Sequence, residues 1–220
     1  MKEVLSKVDL TALKSTTTES DILELCNKAK EMQTASVCVP SYFVGQAFRE
    51  LKDTDIKVCT VVGFPNGNST TSTKIFEALE AMRNNATEID MVANIGQIVA
   101  ENWNFVESDI KLLNDKIREY SLNNNRNIVL KVIVETCYLT DFQIEMMCKI
   151  CADVGVDFIK TSTGFGSKGA ELRTVRIMKE CIDKNGYTLK IKASGGIRSI
   201  EGAKEFIEAG ADRIGASSLK

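Results

Sequence analysis

Residues 151–166 read CADVGVDFIKTSTGFG. A helix-like run stops at Gly155, a residue type that closes helices in the left-handed conformation, and an apolar strand, DFIKT (157–161), follows at once. That strand carries Lys160 and runs into Thr161, Ser162, Thr163 and Gly164. Helix, glycine stop, strand and glycine-rich turn form one unit of a parallel α/β architecture, in which a helix returns the chain to start each new strand in the same direction. The unit also poses a chemical question, because a charge inside an apolar strand is costly unless it is paired or solvated.

The same unit recurs outward in both directions. Runs rich in Val and Ile occur at VDLT (8–11), SVCV (36–39), KVCTVV (57–62), EIDMV (88–92), NIVLKVIVE (127–135), DFIKT (157–161), LKIKA (189–193) and DRIGA (212–216). Between them, 3.6-residue periodicity predicts helices over 19–32, 41–51, 70–85, 102–121, 140–153, 170–184 and 199–209. Thr18 and Thr140 stand where N-caps belong, and Gly155 and Gly210 stand where helices stop. LNNNRN (122–127) reads as a polar helix-to-strand loop. Eight alternations with short loops predict a closed (β/α)₈ TIM barrel, one domain over 1–220. The last helix is expected to be short or missing, with residues 1–7 or a subunit neighbour covering its place.

The 220 residues are 44% hydrophobic and 26% charged, which suits one sizeable core and excludes a disordered or fibrous chain. Lys and Arg total 28 against 30 Asp and Glu, scattered along the chain, so there is no basic footprint for nucleic acid. MKEVLSKVDL has no long apolar run, and no window approaches the ~20 apolar residues of a membrane span; a cytoplasmic protein is expected. Seven cysteines, mostly within hydrophobic segments, read as reduced, buried thiols. CKIC (148–151) lies in a helical run without a second pair, so no metal is expected there. The chain has no histidine, which excludes Ser–His and Cys–His nucleophiles and leaves proton transfer to Asp, Glu, Lys, Tyr or Cys.

In this architecture chemistry sits at the C-terminal ends of the strands. Asp90, Lys131, Lys160 and Lys192 each put a charge inside an apolar strand, and several converging charges suggest a site. Lys190 and Lys192 share a strand face, so both cannot lie deep in the barrel; Lys192 is preferred because it adjoins SGG (194–196). The glycines of that turn let backbone N–H groups approach an oxyanion, and GASS (215–218) and TSTGFG (161–166) are suited to add donors. Loops after strands 7 and 8 commonly bind phosphate in such barrels. A lysine that is desolvated or beside another cation can lose its proton, attack a carbonyl and form a Schiff base. Asp90 is the inward carboxylate available as proton shuttle.

These residues fall within ordered motifs: VDLTAL (8–13), SVCVP (36–40), VVGFPNGN (61–68), EIDMVANIG (88–96), LKVIVET (130–136), FIKTSTGF (158–165), KASGGIR (192–198) and GASS. Over nearly its whole length the chain resembles the deoxyribose-phosphate aldolase family of class I aldolases. The resemblance implies cleavage of 2-deoxy-D-ribose 5-phosphate to D-glyceraldehyde 3-phosphate and acetaldehyde, with no metal or organic cofactor. It makes Lys160 the Schiff-base residue, Lys192 the residue that tunes it, and Asp90 the proton donor and acceptor acting through water. Lys131 would hold Asp90 and the substrate hydroxyls, and Asp9 and Cys38 would line the sugar end. Gly164, Gly195, Gly196, Ser217 and Ser218 would cradle the phosphate, and Thr163 would bind the substrate. Lys168, in GSKG (166–169), either adds charge near that phosphate or faces solvent. The partner implied is a small phosphorylated sugar, with no nucleic acid and no membrane, in a homo-oligomer with a dimer favoured. A Schiff-base aldolase for a different sugar or keto-acid phosphate, and a catalytically silent phosphate-binding barrel, are the competing readings.

Overall fold

The computed structural model describes residues 1–219. Eight parallel strands close into a barrel in sequence order: β1 (Val8–Thr11), β2 (Ser36–Val39), β3 (Lys57–Val62), β4 (Glu88–Val92), β5 (Val129–Ile133), β6 (Phe158–Lys160), β7 (Lys190–Ser194) and β8 (Arg213–Ala216). Around them lie α1 (Lys2–Leu5), α2 (Glu19–Met32), α3 (Val44–Leu51), α4 (Thr71–Arg83), α5 (Ile95–Val99), α6 (Trp103–Asn124), α7 (Asp141–Val154), α8 (Leu172–Asn185) and α9 (Ile200–Glu208).

The register explains where charge can go. Paired residues on neighbouring strands share a face of the sheet, and alternate residues of one strand do too. Asp9 pairs with Ser36 and Gly215, Cys38 with Cys59, Cys59 with Glu88, Asp90 with Lys131, Lys131 with Phe158, Lys160 with Lys192, and Lys192 with Arg213. One polar face therefore runs all the way round. The residues between them, Leu10, Val37, Val58, Ile89, Val132, Ile159, Ile191 and Ile214, form the opposite face and belong to the hydrophobic core with buried helix residues such as Ile22, Met82, Ile110, Met147 and Met178. Each large side chain so buried contributes about 1.5–3 kcal/mol, so the apolar layer between strands and helices supports the fold while the barrel interior holds charge.

The predicted caps at Thr18 and Thr140 are capping boxes, completed by Asp21 and Gln143. Three local expectations differ. The run at 41–51 opens with a 3₁₀ turn over Ser41–Phe43 before α3. The LNNNRN segment is helical through Asn124 and ends where Asn125 takes a left-handed φ of 49°, a conformation asparagine tolerates better than most residues. Helices α1 and α5 are too short to show periodicity. Among the described residues no helix follows β8; α1 packs against α9, with Leu5 buried there, as anticipated for the N-terminal segment.

Candidate active site

The charged face of the barrel is a single connected network. Asp90 Oδ2 accepts from Lys160 Nζ at 2.7 Å and from Lys192 Nζ at 2.8 Å, and Asp90 Oδ1 accepts from Lys131 Nζ at 2.8 Å. Lys131 also lies 2.6 Å from Glu88 and 3.9 Å from Asp9, and Lys192 lies 2.5 Å from Asp9. Below, Arg213 bridges Asp9 Oδ1 at 2.7 Å and Glu88 Oε1 at 2.9 Å, while the Ser36 hydroxyl donates to Asp9 at 2.6 Å. The sequence singled out Asp9, Asp90, Lys131, Lys160 and Lys192 but passed over Glu88 and Arg213. Both were visible by alternation, two residues from Asp90 and Gly215 on the same strand faces.

Burial opposes the charges of Asp9, Asp90, Lys131 and Lys192, and pairing decides the outcome. Burial alone would raise the Asp90 carboxyl, but Lys131, Lys160 and Lys192 outweigh it and hold the group well below the usual carboxylate range. Asp9 is likewise pushed up by burial and held down on balance by Lys192, Arg213 and Lys131. Burial would lower Lys192 and Lys131, yet Asp9 and Asp90 keep Lys192 raised, and Asp90, Cys59 and Glu88 keep Lys131 raised. Lys160 and Lys192 are paired on neighbouring strands, and both donate to Asp90 Oδ2.

A cavity of about 830 Å³ opens above this network. Lys160 is on its wall; Asp9, Cys38, Asp90, Lys131 and Lys192 are wholly buried beneath it. Asp9, expected at the sugar end, instead receives Lys192 and Arg213, and Cys38 sits against Cys59. The Cys38 and Cys59 sulfurs and an Asp90 oxygen lie within 4.8 Å of one another, a spacing a thiophilic metal could use. Lys131, however, donates to both Cys59 and Asp90, at 3.4 and 2.8 Å, and occupies those acceptors with a cation.

The other wall is made by three turns. Gly164 (φ 88°) follows β6, Gly195 (φ 88°) and Gly196 (φ 81°) follow β7, and Ser217 and Ser218 follow β8; all five line the cavity, as does Arg198, which the sequence reading left out. With no side chain at either position, Gly195 and Gly196 leave the backbone N–H groups of this turn open to close approach by an anion. A Cβ on Gly169 would come within 2.2 Å of Gly195 O, and Ala170 N donates to Ser194 O at 3.0 Å, so the turns after β6 and β7 are packed backbone to backbone. Thr163 reaches the cavity wall, but its amide donates to Glu135 at 3.2 and 3.3 Å and its hydroxyl also donates to Glu135. Lys168 faces solvent and pairs with Glu171 at 3.3 Å.

Comparison with known proteins adds an independent line. Residues 3–220 match the model of the DeoC/LacD family of aldolases. A deoxyribose-phosphate aldolase of Clostridioides difficile is 48% identical over 219 residues, covering 100% of this chain and 94% of its own length. One from a Thermoanaerobacter species is 46% identical over 215 residues, covering 98% and 93%. The solved deoxyribose phosphate aldolase of Aeropyrum pernix, described as having a unique tetrameric structure, is 28% identical with a TM-score of 0.84, covering 99% of this chain and 88% of that one.

Proposed function

This chain belongs to the DeoC/LacD family of aldolases, and from that premise we propose that it reversibly cleaves 2-deoxy-D-ribose 5-phosphate to D-glyceraldehyde 3-phosphate and acetaldehyde through a Schiff base on Lys160, in deoxyribonucleoside catabolism. The observation that carries the assignment is position: of the network's lysines, Lys160 alone is on the cavity wall. Three carboxylates (Asp9, Glu88, Asp90) face four cations (Lys131, Lys160, Lys192, Arg213). With its proton removed, Lys160 presents a free amine to the C1 aldehyde of the open-chain sugar.

After water leaves, the iminium withdraws electrons from the C2–C3 bond. Removal of the C3 hydroxyl proton cleaves that bond, releasing D-glyceraldehyde 3-phosphate and leaving an enamine, which is protonated at C2 and hydrolysed to acetaldehyde. Asp90, hydrogen-bonded to Lys160 and Lys192 through one oxygen, is placed to relay these protons with Lys192. Asp9 and Lys131 act on the substrate indirectly, by setting the charge of Lys192 and Asp90, and Cys38 packs beneath them. The phosphate is assigned to the amides of Gly164, Gly195 and Gly196, the hydroxyls of Ser217 and Ser218, and Arg198. No metal or organic cofactor takes part.

The 220 residues are assigned to one domain, supported by one continuous hydrophobic core. A cytoplasmic location is supported by seven free cysteines. A homodimer is supported by the exposed apolar side chains Leu23, Tyr42, Phe48 and Phe76 on and beside α2, α3 and α4. Borohydride trapping tests the chemistry: incubation with deoxyribose 5-phosphate, reduction and peptide mass spectrometry should place the added mass on Lys160. An adduct elsewhere, or none with bound sugar phosphate, would overturn the mechanism.

A further inference from the structure

Glu135 is a buried carboxylate that the mechanism does not use. It follows β5 in the VIVET segment, is 2% exposed, and has a φ of 54°, the left-handed region that a residue with a long side chain enters only when its surroundings impose it. Its side chain explains the imposition. The carboxylate receives the Thr163 amide on both oxygens, at 3.2 and 3.3 Å, and the Thr163 hydroxyl as well. That hydroxyl in turn accepts from Phe165 N at 3.0 Å. Thr136 N donates to Thr161 O at 2.9 Å, tying the two turns a second time.

The fit leaves no slack. A Cβ on Gly166 would lie 3.1 Å from Glu135 Cδ and Oε1 and 2.8 Å from Cys137 Sγ. Anchored on both sides by these contacts, Gly164 faces the next turn, where a Cβ on Gly195 would lie 3.5 Å from Gly164 Cα. Glu135 itself is off the cavity wall. Its effect must pass through the turn it holds, which is the part of the cradle contributed by β6. Donors pre-set at the right spacing bind an anion without having to be ordered at the moment of binding.

We propose that Glu135 is a positioning residue for the phosphate site: by accepting the amide and hydroxyl of Thr163 it fixes the Gly164 turn against Gly195 and Gly196, and so sets the preference for a phosphorylated over an unphosphorylated sugar. The inference rests on the substrate assigned above. Because Glu135 carries charge near Lys160, it could instead act on the amine chemistry, and the test must separate these effects.

The experiment measures kcat and KM for 2-deoxyribose 5-phosphate and for 2-deoxyribose in wild type, Glu135→Gln and Glu135→Gly. The glutamine keeps the side-chain shape without the charge. Glycine removes the anchor but accepts the left-handed backbone without strain, which protects folding; melting temperatures are recorded for all three. The ratio of kcat/KM for phosphorylated over unphosphorylated substrate should fall at least tenfold in Glu135→Gly and by a smaller factor in Glu135→Gln, through a higher KM for the phosphorylated sugar. An unchanged ratio in both variants overturns the inference, as does an equal fall for both sugars carried by kcat, which would place Glu135 in the amine chemistry. A wild type that does not cleave 2-deoxyribose 5-phosphate overturns the substrate assignment itself, and the inference with it.

Discussion

Asp90 accepts hydrogen bonds from three lysines with two oxygens, so its removal is both a chemical and a structural event. Asp90→Asn preserves shape but leaves Lys131, Lys160 and Lys192 short of one negative charge. A lost proton relay costs about 10²–10⁴ in kcat, and an uncompensated buried charge costs about 3–5 kcal/mol of stability. We expect both in the same variant, read by a coupled aldehyde assay and by urea unfolding; a variant with normal kcat would remove Asp90 from the proton path. That Asp90, Lys160 and Lys192 converge was legible because charges in apolar strands stand out. Glu88 and Arg213 were less visible, since they sit at strand starts where charge is ordinary. Glu135 could be noticed only as a polar residue at a strand end, and its left-handed backbone has no signature in glutamate.

Between elements, α4 and α6 are joined by a buried ion pair remote from the chemistry. Lys74 Nζ lies 2.7 Å from Asp109, whose other oxygen accepts from Thr71 at 2.7 Å, and Lys74 is fully buried. Pairs of this kind are strongly destabilising to break but neutral or favourable to replace as a whole. Lys74→Met alone should therefore cost about 3–5 kcal/mol in urea unfolding, whereas Lys74→Met with Asp109→Leu should unfold within about 1 kcal/mol of wild type or later. A double variant as weak as the single would show that the pair does more than neutralise itself. Long helices were readable from periodicity and from Thr18 and Thr140, whereas the pairing of Lys74 with Asp109 was not, because it joins positions 35 residues apart through a packing that neither segment encodes alone.

For the whole molecule, the barrel's interior charge predicts how it responds to acid. Asp9 and Asp90 are held below the ordinary carboxylate value of about 3.9, so the unfolded chain takes up protons first as pH falls. Their stabilising contribution is complete above that value and is lost as pH drops from about 4 through their lowered pKa values. Glu135 works in the opposite sense: burial raises its carboxyl, so its ionisation weighs against the fold at neutral pH and that cost is relieved on acidification. With two strongly held carboxylates against one, the urea midpoint should stay nearly level from pH 8 to 5 and fall steeply below pH 4. Asp9→Asn should flatten the fall; a wild-type midpoint already dropping at pH 6 would contradict this account.

The chain's own order of residues was enough to determine the alternation of strands and helices, the closure of eight of them into a barrel, and which strand lysines and carboxylate face inward, because each follows from local periodicity and from the cost of charge in an apolar run. Tertiary structure alone decided which of the strand lysines reaches the cavity. Strand register sets Lys131 two positions below Lys160 and pairs Lys192 with it, and in the closed barrel only Lys160 is on the cavity wall. It also decided that Thr163 faces Glu135, across the turns that follow the paired strands β5 and β6, and that Asp9 faces Lys192 and Arg213, contacts that form only when β1 closes the barrel against β8.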